Sequence, residues 1–340
     1  MDAFVQLKPQ ERRIYFEKTA TPGNLSAYIV EKDFWVCWTL KQLFGLPEIG
    51  LHLIFKGGTA LSKVFGMIER FSEDIDVSID RGYLGFGGVN EPEAGGSNKE
   101  KQRRVDALKV ACQRKIAEEL EPALRAVMAG KIRAGEAWSL VSDPTDPDLQ
   151  TLLFQYPTVF PPEESRYIRR AVKIEMGARA DHWPCDTKPI TAYVAERFPA
   201  GFREVSYPVK VLSVERTFWE KATILHAEYH RPADKELPAR LSRHYSDVSE
   251  LIRKGVANDA AAHLDLLARV VQHKTLFFRS SWANYGTATP GALRIAPPEH
   301  RLKSLRDDYA KMQEMFFAEP PEFDAVIAVL KQWESEFNKK

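Results

Sequence analysis

Cysteine is scarce in this chain: three thiols in 340 residues, Cys37, Cys112 and Cys185, an odd number at wide spacings. That excludes a disulfide framework, offers none of the paired spacings of a zinc site, and predicts reduced thiols in a cytosol. Net charge is almost absent as well. With 48 basic residues against 47 acidic ones, no overall cationic coat marks the chain for nucleic acid, which leaves only a local basic patch for that task. No apolar run approaches a membrane span, and Met1 to Pro9 lack the basic-then-apolar pattern of a secretory signal. Internal repeats and low-complexity tracts are missing too. The expectation is a cytoplasmic protein with no membrane partner. What the chain does have is core-forming material: 44% apolar residues and seven Trp, ample for packed interiors and, at this length, for two domains.

The most informative stretch is Phe55-Lys56-Gly57-Gly58-Thr59-Ala60-Leu61, followed by Arg70-Phe71-Ser72-Glu73-Asp74-Ile75-Asp76-Val77. An apolar strand runs into a glycine pair and a hydroxyl residue, and a helix-length gap precedes two carboxylates two residues apart. On a strand, residues i and i+2 point the same way, so Asp74 and Asp76 share one face while Ile75 and Val77 pack on the other. Two adjacent carboxylates repel unless a cation lies between them, and hard oxygen donors suit Mg²⁺ or Mn²⁺. Glycines let backbone N–H groups approach phosphate oxygens, and a helix opening at Thr59 favours anions at its N-terminus. A glycine pair alone marks many ordinary turns, and an Asp-x-Asp alone is often an acidic edge strand. In this order and spacing they read together as nucleotide chemistry.

This pairing resembles the first signature of the polymerase-β-type nucleotidyltransferases and, more narrowly, Phe55 to Val77 looks like the AbiEii/AbiGii toxin family of abortive-infection and type IV toxin–antitoxin systems. The resemblance implies an α/β (α+β) nucleotidyltransferase lobe with a small mixed β-sheet, residues 1–213 with N-terminal helices, followed by an α-helical lobe, residues 214–340, that completes the active-site cleft. It implies transfer of a nucleoside monophosphate from an NTP to an acceptor with release of pyrophosphate. Asp74 and Asp76 would hold Mg²⁺ or Mn²⁺, and Gly57, Gly58, Thr59 and Ser72 would bind the nucleotide. The best-represented acceptor in the family is the 3′ end of tRNA, and the usual partner is a separately encoded antitoxin protein.

Elsewhere the residues and the resemblance are weighed together. Ala171 to Met176 alternates as a strand, with Lys173 and Glu175 facing out. By pattern that is an ordinary solvent face; the resemblance makes Glu175 a third acid that completes metal coordination or accepts the acceptor's proton. Val214-Glu215-Arg216-Thr217-Phe218-Trp219-Glu220-Lys221-Ala222 matches a second family motif, in which Lys221 holds the triphosphate as a point charge. On a helix, Phe218 and Ala222 share the buried face, while Trp219 and Lys221 point elsewhere, and a surface ion pair is the competing reading. Ser242-Arg243-His244-Tyr245-Ser246-Asp247 looks like the last motif and puts Asp247 in the active site. RNA contacts are assigned to Arg243, His226 and Arg170. His226 and His230 stand at i,i+4, but the zincin glutamate is absent at that register, so zinc is not expected.

Helices are predicted over 9–45 in two pieces broken at residues 21–24, and over 59–68, 99–129, 214–230, 240–253, 258–277, 299–318 and 321–337. The second helix carries Glu31-Lys32-Asp33-Phe34-Trp35, which matches the family's N-terminal helix and reads as core aromatics beside solvated charges. Pro122 is expected to kink or split the long 99–129 stretch, and the Gly/Pro/Asn-rich stretch 83–97 suggests a loop lying over a site. Basic residues cluster at Arg166, Arg169, Arg170 and Lys173, and Phe277, Phe278, Trp282 and Tyr285 interleave with Lys274 and Arg279 in a pattern able to grip single-stranded RNA. Three rivals remain: a glycosyltransferase using Asp-x-Asp, a nucleotidyltransferase acting on protein hydroxyls, and a folded module that binds RNA or a partner without turnover.

Overall fold

The computed structural model describes residues 1–21, 25–161 and 170–339. The segment 22–24, on which the first predicted helix break falls, lies outside the described residues. The first elements are α1 (Asp2–Val5), α2 (Pro9–Ala20), α3 (Ala27–Phe44), β1 (Leu53–Lys56), α4 (Gly57–Lys63) and β2 (Ile75–Ile79). They are followed by α5 (Asn98–Lys115), α6 (Glu121–Lys131), β3 (Ser139–Ser142), β4 (Thr151–Gln155), β5 (Val172–Gly177), β6 (Cys185–Thr191), α7 (Tyr193–Arg197) and β7 (Ser206–Leu212). The remainder is helical: α8 (Val214–Tyr229), α9 (Ser242–Arg253), α10 (Val256–Ala261), α11 (Leu264–Phe277), α12 (Leu302–Ala310) and α13 (Phe323–Phe337).

The chain divides into two compact units. The first, Met1–Val64 with Phe71–Val211, contains a seven-stranded sheet in the order β3-β4-β5-β2-β1-β7-β6. β1 and β2 pair antiparallel, with Lys56 opposite Asp76, while β2 runs parallel to β5, with Asp76 opposite Glu175. β1 also runs parallel to β7, and β4 is antiparallel to both β3 and β5. The sheet is therefore mixed, as expected. β1 is buried along Leu53, Ile54 and Phe55, as an apolar run in a central strand requires.

Packed in this unit, α3 buries apolar residues around its whole circumference: Val30, Phe34, Trp35, Trp38 and Leu40 are all 0% exposed. Rings of Phe4, Phe16, Phe34, Trp35, Trp38, Phe154 and Tyr156 form a continuous aromatic core. A helix apolar all round has no solvated face. Accordingly Glu31, Lys32 and Asp33, read from sequence as solvated, are each only 1% exposed. Each finds a partner instead, as buried charges must. The expected stripe Val105, Leu108, Cys112, Ile116 and Leu120 is buried, and the chain passes from α5 to α6 through a π-helical turn, Ile116–Leu120, just before Pro122. Residues 83–97 form short 3₁₀ turns tied down by Arg81 to Glu93 and by Arg104 to the carbonyls of Val89 and Glu91. They leave from the end of β2 remote from Asp74.

The second unit comprises Phe65–Arg70 and Leu212–Lys340. Residues 65–70 thus group with the helical unit although they sit between two first-unit segments. Its core centres on Phe218, Trp219, Trp333 and Phe337, whose rings lie 4.9–6.3 Å apart. Trp219 and Lys221, placed away from the buried face by pattern, are 0% and 6% exposed, because α8 is covered on nearly every side. The predicted helix over 258–277 divides at Ala262 and His263 into α10 and α11.

Candidate active site

In the first unit the acids gather at one end of the central strands. From Phe71 to Val77 burial alternates: Phe71, Glu73, Ile75 and Val77 are buried, whereas Ser72, Asp74 and Asp76 are half-buried. Asp74 and Asp76 therefore share a face, joined by Glu175 across the β2–β5 register. The Asp74 carboxyl is pushed up to about 6, first by burial and then by the charges of Glu73, Glu175 and Asp76, with Lys32 pulling back. Glu175 pairs with Lys173 two residues away on the same strand face. Lys56 reaches to 3.9 Å of Asp76.

Gly57 opens α4, two residues earlier than the expected start at Thr59, with φ +81°. A Cβ there would fall 2.0 Å from Asp76 Oδ2, so only glycine leaves room for that carboxylate. The Thr59 side chain is wholly buried; its hydroxyl donates to the Asp74 carbonyl and lies 2.9 Å from the Ser72 hydroxyl. Together these two residues tie α4 to the acidic segment. Among the described residues, no group of three or more His, Cys, Asp or Glu is arranged to hold a metal ion. A pair of carboxylates is nonetheless a sufficient donor set for Mg²⁺, which usually keeps waters and takes phosphate oxygens as its other ligands. Mutual repulsion at Asp74 is what such a cation would relieve, so the residues present fit it.

In the second unit the sign is reversed. Asp247, on α9 and 1% exposed, accepts two hydrogen bonds from Arg70, Nε at 2.8 Å and Nη2 at 2.9 Å, and pairs with Lys221 Nζ at 2.9 Å. Burial alone would raise the Asp247 carboxyl; Arg70 and Lys221 outweigh it and hold the group ionised well below the usual range. Lys221 is lowered chiefly by burial, with Arg70 and Arg243 adding to the effect and Asp247 opposing it. His244 Nδ1 lies 3.4 Å from Lys221 Nζ, and burial followed by the charges of Lys221 and Arg243 keeps its imidazole neutral. Arg70 and Asp247 also line a cavity of about 260 Å³ with Glu250, Arg253 and Phe316. Arg70 was not singled out by the sequence, since its partner is 177 residues away.

Among the other sequence candidates, Arg243 neighbours Lys221 and His244, while the rest engage other parts of the chain. His226 is 0% exposed; Nδ1 accepts from the Arg294 N–H at 3.0 Å, and Nε2 faces the Asn284 carbonyl and the Thr287 hydroxyl, both at 3.1 Å. These contacts fix it as a neutral, Nε2-protonated ring bracing residues 284–294. Arg170 donates to the carbonyls of Phe160 and Pro161. Arg243 is half-buried on α9, and Arg166 and Arg169 lie outside the described residues. Phe277 is core at 4% exposed, whereas Trp282 carries the Arg231 guanidinium 4.5 Å over its ring.

The family model described as "Nucleotidyl transferase AbiEii toxin, Type IV TA system" matches residues 38–329, most of the chain and both acidic and basic clusters. The chain belongs to the AbiEii nucleotidyltransferase toxin family. As an AbiEii toxin it is a nucleotidyltransferase that takes an NTP as substrate, and its type IV system pairs a toxin with an antitoxin. The solved structure of MenT4, a nucleotidyltransferase toxin from Mycobacterium tuberculosis H37Rv, aligns over 90% of this chain and 99% of its own, at 15% identity and a TM-score of 0.35. No match was found among curated proteins. No helix of this AbiEii toxin, among the described residues, is long and apolar enough to cross a membrane.

Proposed function

We propose that this chain transfers a nucleoside monophosphate from an NTP to the 3′ end of tRNA and so blocks translation. In this reading Asp74 and Asp76 hold Mg²⁺ or Mn²⁺, Lys221 binds the triphosphate, and Asp247 with Arg70 fixes Lys221. A bound divalent cation supplies charge neutralisation at the phosphates and lowers the proton affinity of a hydroxyl beside it. The acceptor oxygen attacks the α-phosphorus, the bond to the bridging oxygen breaks, and pyrophosphate leaves. Glu175, paired with Lys173, accepts the acceptor's proton. Gly57 leaves the space in which Asp76 reaches this arrangement, and Thr59 and Ser72 fix the backbone at Asp74. No covalent enzyme intermediate is required, so positioning and electrostatics provide the acceleration.

The observation that carries the reading is the crowding of Asp74 by Asp76, Glu175 and Glu73, a set of acids that a cation would relieve. The RNA acceptor draws support from cation–aromatic pairs on the second unit, Arg231 over Trp282 at 4.5 Å and Arg294 over Tyr229 at 5.8 Å, residue types against which unpaired bases stack in single-strand-binding proteins. The test incubates wild type and Asp76→Asn with Mg²⁺, total RNA and each of the four α-labelled NTPs. Label entering tRNA-sized material with wild type alone is expected, and ribonuclease should remove it. Label that survives ribonuclease but not protease would move the acceptor to protein, and absence of label with every nucleotide would sink the assignment of these residues.

A further inference from the structure

Three consecutive buried charges on α3 each fasten a different part of the first unit. Glu31 accepts from the Thr158 hydroxyl at 2.6 Å and the Val159 N–H at 2.8 Å. Lys32 pairs with Glu73, and Asp33 takes Lys63 at 2.8 Å together with the Tyr193 N–H at 2.7 Å. Of these, the Lys32–Glu73 pair bears on the acids that face the substrate. The side chains are 1% and 7% exposed. Lys32 also lies ahead of the residues matched by the family model, which begin at 38.

The segment Ser72-Glu73-Asp74-Ile75-Asp76 carries three carboxylates, and strand alternation sends the first, Glu73, to the buried face. A lone buried carboxylate is strongly unfavourable, whereas one with a close cation is tolerated. Removing Lys32 takes its close cation from Glu73, and one local remedy is a turn of the backbone by one residue. Such a slip exchanges the two faces, bringing Glu73 out and taking Asp74 in. Residues 75–79 are held by ladders on both sides, so the slack resides in 71–74, where the Thr59 hydroxyl is the other fastening.

We propose that Lys32 is a positioning residue for nucleotidyl transfer: by pairing with Glu73 on the buried side, it fixes the phase in which Ser72, Asp74 and Asp76 present a single face. The inference rests on the roles given above to Asp74 and Asp76. It assigns Lys32 no contact with substrate.

The test compares Lys32→Met, Glu73→Leu and the double variant Lys32→Met/Glu73→Leu by hydrogen exchange over residues 71–76 and by transfer kinetics. Lys32→Met is expected to speed exchange in that segment at least tenfold with the sheet strands β4 and β7 unchanged. Its kcat should fall on the order of a hundredfold while KM for the NTP stays within about threefold. The double variant replaces a buried ion pair by apolar side chains, an exchange that folds tolerate, and should recover protection and most of kcat. Should Lys32→Met fail to fold, the double variant still carries the test. Wild-type exchange and rate in Lys32→Met would overturn the proposal. So would a double variant that regains protection but not turnover, since Lys32 would then touch the reacting groups. If wild type itself transfers no nucleotide, the assigned chemistry fails, while the exchange rates still decide whether Lys32 holds the segment.

Discussion

The two charged clusters are built on opposite plans. In the first unit acids crowd Asp74: burial and three neighbouring carboxylates make it harder to ionise, and Lys32, Lys56 and Lys173 lie beside those neighbours. In the second unit a single carboxylate, Asp247, is shared by Arg70 and Lys221, with Arg243 nearby. One cluster crowds carboxylates around Asp74, and the other sets two cations on one buried carboxylate, leaving positive charge over. A crowded set of acids is relieved by a cation, while a carboxylate gripped by two cations is a rigid fitting. The difference separates the carboxylates that a ligand would complete from the one that the fold has already completed.

Mutations can break that contrast. The largest effect on transfer is expected from Asp76→Asn or from chelation of divalent cations, each lowering label incorporation on the order of a thousandfold with no loss of melting temperature. Asp247→Asn should behave differently. It strands two buried cations and is expected to lower stability by about 3–5 kcal/mol, read by urea unfolding, so that activity is lost through the fold. Lys221→Met sharpens the point: Asp247 keeps both bonds to Arg70, so unfolding should change little while KM for the NTP rises at least about tenfold. An unchanged KM there would detach Lys221 from the triphosphate.

Smaller again is Gly57→Ala, which combines a strained φ with a Cβ 2.0 Å from Asp76 and should cost about 1–3 kcal/mol. Its transfer rate should fall by more than its stability accounts for, because the carboxylate itself is pushed aside. The least effect on transfer belongs to Glu31, whose carboxyl is raised from 4.5 to about 7, mainly by burial. Between those values the native state keeps a proton that the unfolded chain releases. Stability is therefore highest below pH 4.5 on this group's account and declines as pH rises through 7, by roughly 3 kcal/mol. In Glu31→Gln that slope should vanish from a series of melts across pH, and a slope equal to wild type would assign it to another group.

The sequence made the acidic face readable because alternation and a glycine pair are local signals. The Asp-x-Asp strand, its glycine turn, the mixed sheet and the family all followed from residues 55–77. Pairings between distant residues were hidden. Arg70 stands four residues before Asp74 yet bonds to Asp247, and a single sequence carries no trace of a partner that far off. The buried charges of α3 do carry a local signal: Ile29, Val30, Phe34, Trp35 and Val36 leave no face on which Glu31, Lys32 and Asp33 can meet water. β3 and β6, largely exposed edge strands, lack the apolar alternation that exposes a strand to sequence reading.

The strand order carries a consequence for how the toxin is made. β1 and β2 form early in the chain, but the strands that flank them, β5 and β7, are specified only at residues 172–177 and 206–212. A ribosome that has delivered Asp76 must add about a hundred further residues before Glu175 can be laid beside it, and long-range strand pairing is a slow step in folding. Lys221 and Asp247 come later still. Under the roles proposed above a nascent or truncated chain is unarmed, and the cell that makes this toxin has the whole interval of synthesis in which the acidic strand exists without its neighbours.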